Sequence, residues 1–98
     1  MRIPTKFTIN TQPITVLFVD TLPDEKFGEF DAVLNTITIA NRVKHNDTTY
    51  ELTEAQRLNT FFHEVLHAFQ WYSTGEFSEQ ESCTYASYLV EFLKSIKD

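Results

Sequence analysis

Residues 53–75 read TEAQRLNTFFHEVLHAFQWYSTG, and the periodicity of this stretch decides the fold. Leu58, Phe61, Phe62, Val65, Phe69 and Tyr72 recur at helical spacing and form one apolar stripe. Thr53 followed three residues later by Gln56 is a capping-box start, and Ser73-Thr74-Gly75 is a stop. The spacing therefore predicts a helix over roughly residues 54–72. Inside it, His63-Glu64-Val65-Leu66-His67 spells HExxH. Residues four apart stand one turn above each other, so His63 and His67 can direct two imidazoles at one metal ion. Glu64, beside the first of them, can hold a carboxylate next to water. A zinc hydrolase needs this set: two neutral nitrogen ligands, and a base for the water that Zn²⁺ acidifies. The two histidines fall about 140° and 180° from the centre of the apolar stripe. A core histidine would lie on the stripe, so the phase leaves solvated surface residues or metal ligands, and Glu64 with a second helix due to fold back favours the metal.

Working outward toward the N-terminus, the chain changes from helical to β character. Residues 6–10 form a short β-prone segment, and residues 14–20 (ITVLFVD) are rich in β-branched side chains between Pro13 and Pro23. Gly28 breaks the next segment. Residues 30–33 and 36–40 flank Leu34-Asn35, where Asn35 can take the left-handed conformation of a tight turn. Residues 36–40 are expected to alternate, with Ile37 and Ile39 on one face. Residues 41–50 are polar and read as a loop. Beyond Gly75, a second helix is expected over roughly residues 79–95, with Cys83, Ala86, Leu89, Val90, Leu93 and Ile96 inward. Strands followed by two helices predict an α+β domain, in which the helices cover one face of a small, mostly antiparallel sheet of three or four strands.

Composition limits the function classes. Ninety-eight residues with 42% hydrophobic content make one small domain, and nine Phe, four Tyr and one Trp supply its buried area. Eight basic against 14 acidic residues give a formal charge of −6, which argues against a nucleic-acid surface. Bound Zn²⁺ would offset part of that acidity. Cys83 is the single cysteine, so no intramolecular disulfide forms and a reducing compartment is expected. The first residues lack the apolar run of a signal peptide, and no stretch has the length of a membrane span. A cytoplasmic protein with no membrane partner is the expectation.

The metal site needs a third ligand and an open position for water. Gln70 and Ser73 stand where the extended metzincin motif requires Gly and His, which excludes that class. Asp98 is the sole Asp after His67, leaving Glu76, Glu79, Glu81 and Glu91. Glu76 belongs to the turn and Glu91 lies far along the second helix. Glu79 and Glu81, in its first turn, can both reach across.

Glu81-Ser82-Cys83-Thr84-Tyr85-Ala86-Ser87-Tyr88-Leu89-Val90 resembles the Glu-Ala-Asn-x-Phe-Ala-Ala-x-Leu-Leu segment that follows HExxH in ImmA/IrrE-type gluzincins. The second helix is also similar to the one that ends very small phage-type HExxH proteins, built from little more than a sheet and two helices. The resemblance covers the second half of the chain clearly and the strands in outline. It departs at Cys83, where the larger family often has Asn or Asp, and it lacks a Leu-Leu-Met-Pro ending. The first comparison implies Glu81 as the glutamate ligand; the second, whose acidic pair lies earlier, implies Glu79. Glu81 has a competing role, since Ser78-Glu79-Gln80-Glu81 is itself a capping box. Glu81 is taken as the third ligand and Glu79 as the alternative.

Other side chains are read plainly. His45 is expected to be solvated, with a fourth-ligand or donor role as the alternative. Tyr72, Tyr85 and Tyr88 could each offer a phenol to an oxyanion, but packing is the primary reading for each. Trp71 and Phe77 are read as packing residues. The resulting expectation is a minimal zinc metallopeptidase domain spanning residues 1–98, acting on a peptide or protein substrate. His63, His67 and Glu81 would bind Zn²⁺, and Glu64 would serve as general base and acid. The substrate would lie extended along an edge strand, expected at residues 36–40. The alternative is a non-catalytic zinc-stabilised domain that binds a partner.

Overall fold

A computed structural model describes residues 2–9, 11–76 and 78–95. The fold is α+β, and among the described residues six strands precede two helices. Strands β1 (Lys6–Ile9), β2 (Gln12–Val19), β3 (Gly28–Asp31) and β4 (Thr36–Ala40) form one sheet in the order β1-β2-β4-β3. The β1–β2 and β3–β4 pairings are antiparallel, while the central β2–β4 pairing is parallel. The parallel pair arises because the chain leaves β2, passes a 3-10 turn at Pro23–Glu25, lays down β3 at the sheet edge and returns inward as β4. The sheet is thus mixed.

The β3–β4 turn shows how local chemistry sets the strand ends. The Asp31 carboxylate accepts from the N–H groups of Val33 and Leu34 at 2.9 and 3.1 Å, ending β3 at Asp31 instead of residue 33. Asn35 takes φ 49°, the left-handed conformation its position in the turn requires. Residues 41–50, expected as a loop, instead contain a second two-stranded sheet, β5 (Arg42–His45) with β6 (Thr48–Glu51). The cause is the Asn46-Asp47 pair, with φ 49° and 65°, which supplies the two left-handed residues of a tight hairpin turn.

Helix α1 (Glu54–Thr74) begins with the expected capping box. Thr53 N–H donates to Gln56 Oε1 at 2.8 Å, and Gln56 N–H donates to Thr53 Oγ1 at 3.0 Å. It ends at Gly75 in the left-handed conformation, φ 77°, whose N–H donates to the carbonyls of Gln70 and Trp71. Helix α2 (Glu79–Ser95) then folds back against α1. The core joins Ile14 and Val16 of β2 and Ile37 and Ile39 of β4 to Phe61 and Val65 of α1. Phe7 of β1 closes it edge-to-face on Phe61.

Two inward assignments on the helices need correction. Phe69 is exposed and does not belong to the buried stripe. On α2 the buried row is Ser82, Ala86 and Val90, with Leu89 and Leu93 half-buried. Cys83, one residue out of that phase, is exposed. Asn10, Phe77 and Ile96 lie outside the described residues. No helix among the described residues is long and apolar enough to cross a membrane.

Candidate metal centre

Helix α1 is buried on two sides. Leu58, Phe61 and Val65 face the sheet; Thr60, Glu64 and His67 are also buried, on the side approached by β3 and α2. A polar row shielded in this way has to be satisfied by partners, because an unpaired buried polar group is costly. His67 is satisfied at the junction with α2. The Nε2 atoms of His63 and His67 stand 3.1 Å apart. The Glu79 carboxylate spans them, with Oε1 2.6 Å from His63 Nε2 and Oε2 2.9 Å from His67 Nε2.

Donors sharing one tetrahedral zinc stand about 3.3 Å apart, so His63, His67 and Glu79 already hold their ligand atoms near coordinating separation. Their chemistry fits as well. The His63 pKa is lowered chiefly by burial, and further by His67, against the opposing pull of Glu79. A neutral ring is the form that ligates a metal. Two nitrogens and one carboxylate form the donor set of a hydrolytic zinc site.

Glu81 is not brought to this point. Positions 79 and 81 differ by about 200° around a helix, so both cannot face α1. Glu79 takes the inward direction. Glu81 is exposed, and its N–H donates to Ser78 Oγ at 3.4 Å, the backbone half of the capping box. The structure therefore puts Glu79, the alternative, at the histidines instead of Glu81.

Glu64 is buried beside the two histidines and lines a cleft with His67, Glu79, Gly28 and Glu29. Burial pushes its pKa up to about 8, and the carboxylates of Glu79 and Glu29 add to the shift, while Lys26 opposes it. The cleft continues past His63 along Lys26, Phe27 and Thr60, so its wall is the outer edge of β3.

That wall corrects the substrate strand. Thr36–Ala40 lies between β2 and β3 and has no free edge; Gly28–Asp31 is the edge strand next to the cleft. The sequence marks Gly28 as a break, yet it is the point where β3 crosses α1. A Cβ there would meet Thr60 Cγ2 at 2.5 Å and Glu64 Cγ at 3.4 Å. An isolated glycine within a β-prone run is the signal that could have revealed this close approach. Gln70 enters the sequence reading only as a departure from the metzincin motif, yet it contacts His67 directly.

The remaining residues are elsewhere. His45 hydrogen-bonds Glu25 at 2.6 Å, pinning the β5–β6 hairpin to the 3-10 turn. The Tyr72 hydroxyl donates to Asn35 Oδ1 and ties α1 to the β3–β4 turn. Tyr85 and Tyr88 are exposed on α2, and Tyr85 shares a surface with Glu81. None of these three phenols lines the cleft beside Glu64. Trp71 is partly exposed on α1. Cys83 Sγ stands 4.0 Å from Glu79 Oε1, and its ligand atom, with those of His63 and Glu79, falls within a 4.8 Å group. No protein-family model, curated protein or solved structure matches this chain.

Proposed function

We propose that this chain is a minimal zinc-dependent peptidase of gluzincin type, in which His63, His67 and Glu79 hold the metal and Glu64 moves the proton. The observation that carries the reading is the convergence of two Nε2 atoms and both Glu79 oxygens beside a buried Glu64. Zinc in such a site supplies Lewis-acid polarisation and makes water acidic enough to attack at neutral pH. Glu64 accepts the proton of the attacking water and returns it to the leaving amine nitrogen. Its place in the cleft beside His67 and Glu79 puts the carboxylate where it can take that proton and give it back. β3 is the edge strand beside the cleft, where an extended peptide can add as a further strand.

The test is Glu64→Gln. It should leave zinc content unchanged and reduce peptide hydrolysis by at least ~100-fold, the lower range for loss of a general base. A variant that hydrolyses peptides at the wild-type rate would remove Glu64 from the chemistry.

One observation favours a second reading, a closed and non-catalytic zinc site. Cys83 lies one turn beyond Glu79 on α2, with its thiol near the ligand atoms of Glu79 and His63. A thiolate drawn in as fourth ligand would fill the position that water needs. The protein would then be a zinc-stapled domain that binds a partner.

A further inference from the structure

Among the described residues, Lys26 is the one lysine or arginine that lines the cleft. It borders both halves, beside Glu64, His67 and Glu79 on one side and beside Asn59, Thr60 and His63 on the other. It stands in extended conformation between the 3-10 turn and β3, at φ −73° and ψ 143°. Its backbone is anchored: the Lys26 N–H donates to the Pro23 carbonyl at 3.3 Å, and the carbonyl of Phe27 accepts from the Ala40 N–H at 2.8 Å. The ammonium is held far less firmly. Its Nζ stands 3.7 Å from Glu29 Oε2, beyond hydrogen-bond length, and both side chains are half exposed. Peptide hydrolysis makes a demand in this place. As water attacks, its oxygen bonds to the carbonyl carbon and the π pair of the C=O moves onto the carbonyl oxygen, which gathers negative charge. Apart from the histidines, the side chains lining the cleft that carry a polar hydrogen to donate are Lys26, Asn59 and Thr60. Asn59 and Thr60 border only the half away from Glu64. Lys26 reaches both halves, and a charged donor makes a bond roughly twice as strong as a neutral one.

We propose that Lys26 is the oxyanion donor of this centre, its ammonium turning from Glu29 to the carbonyl oxygen of the substrate as charge develops there. The role rests on the peptidase reading. Lys26 donates a hydrogen bond and keeps its proton throughout. When the tetrahedral intermediate collapses, the pair on oxygen re-forms the carbonyl and the C–N bond breaks. The amine then leaves with the proton that Glu64 returns. Glu29 makes the effect selective for the transition state. A neutral carbonyl oxygen does not draw the ammonium away from a carboxylate, whereas an oxyanion does, so the bond strengthens only as the reaction proceeds.

The experiment compares the whole zinc-loaded chain with Lys26→Met, which keeps the stem and removes the charge, and with Lys26→Arg, which keeps the charge. Two quantities are measured: steady-state hydrolysis of a neutral peptide, and calorimetric binding of a phosphinic peptide, whose anionic tetrahedral group imitates the intermediate. Because Lys26 also acts on the Glu64 carboxyl, kcat is compared at the plateau of each pH profile. Lys26→Met should lower kcat about 100–1,000-fold, the range for loss of one oxyanion donor, with KM within about a factor of two. It should weaken the phosphinic peptide by a similar factor, and Lys26→Arg should recover much of both losses. Position 26 is half exposed, so the fold tolerates either change. Wild-type kcat and wild-type phosphinic-peptide affinity in Lys26→Met would overturn the proposal and leave the peptidase reading standing. A loss confined to KM and to peptides with acidic side chains would also overturn it, and would make Lys26 a recognition group for substrate carboxylates. A wild type that binds zinc but neither hydrolyses peptides nor holds the phosphinic peptide would sink the peptidase reading, and the role of Lys26 with it.

Discussion

Gly28 on β3 and Thr60 on α1 approach so closely that a Cβ at position 28 would stand 2.5 Å from the Thr60 methyl. The edge strand can therefore lie against the helix face that carries Glu64, and the cleft depends on that contact. Thr60 is β-branched and stiff on a helix, so it cannot easily swing aside. Gly28→Ala should cost about 1–3 kcal/mol through overpacking and should open the cleft wall, lowering peptide turnover. Thr60→Ser removes the offending methyl, and combined with Gly28→Ala it should recover part of the lost stability. Thermal unfolding of the two single variants and the double variant checks this. Simple additivity would contradict the contact.

Glu79 and Glu81 make opposite predictions for metal affinity. Glu79 bridges both imidazoles, whereas Glu81 points away from them at the start of α2. If Glu79 is a ligand, Glu79→Gln should weaken zinc by more than the ~10–100-fold typical of an outer partner, because the anionic carboxylate is replaced by a neutral amide, a poor zinc donor. Glu81→Gln should bind zinc within a factor of about two of wild type and lose only a few tenths of a kcal/mol at the helix start. Chelator competition on both variants distinguishes them. Reversed results would restore Glu81 as the ligand.

The buried Glu64 gives the metal-free protein a pH-dependent stability of definite sign. Its folded pKa is raised from 4.5 to about 8, so the folded state holds the proton more tightly than the unfolded state. The associated stability is fully present below about pH 4.5 and is lost as pH rises toward about 8. With chelator present, wild type should lose on the order of a few kcal/mol across that window. Glu64→Gln should flatten this contribution. Denaturant melts at successive pH values measure it. Equal slopes in wild type and variant would place the carboxyl in a more solvated setting.

Cobalt distinguishes an open site from one closed by Cys83. Co²⁺ in a His63/His67/Glu79 site should give visible d–d bands in both wild type and Cys83→Ser. A near-ultraviolet thiolate-to-cobalt band present in wild type and absent in Cys83→Ser would support the closed, non-catalytic reading. Its absence from wild type would leave the open position the peptidase requires. Hydroxamate binding should follow the same division.

Much of the fold was legible because its signals are local. The Thr53–Gln56 capping box and Gly75 bounded α1 through contacts made within a few residues. The polar hairpin at residues 42–51 escaped because its turn, Asn46-Asp47, lacks glycine and its strands bury little. The parallel β2–β4 pairing escaped because strand order depends on where β3 is deposited, a long-range choice.

For the candidate site the division is similar. The sequence by itself determined that His63 and His67 share one helix face with Glu64 beside them, because helical geometry links residues four apart without reference to anything else. Tertiary structure decided the rest. It chose Glu79 over Glu81, made β3 rather than β4 the edge along the cleft, and set Gln70 against His67 and Ser78. The edge follows from strand order, and the placing of Glu79 and Gln70 from the rotation and crossing of α2 relative to α1. Packing between elements distant in sequence fixes that rotation, and no residue spacing encodes it.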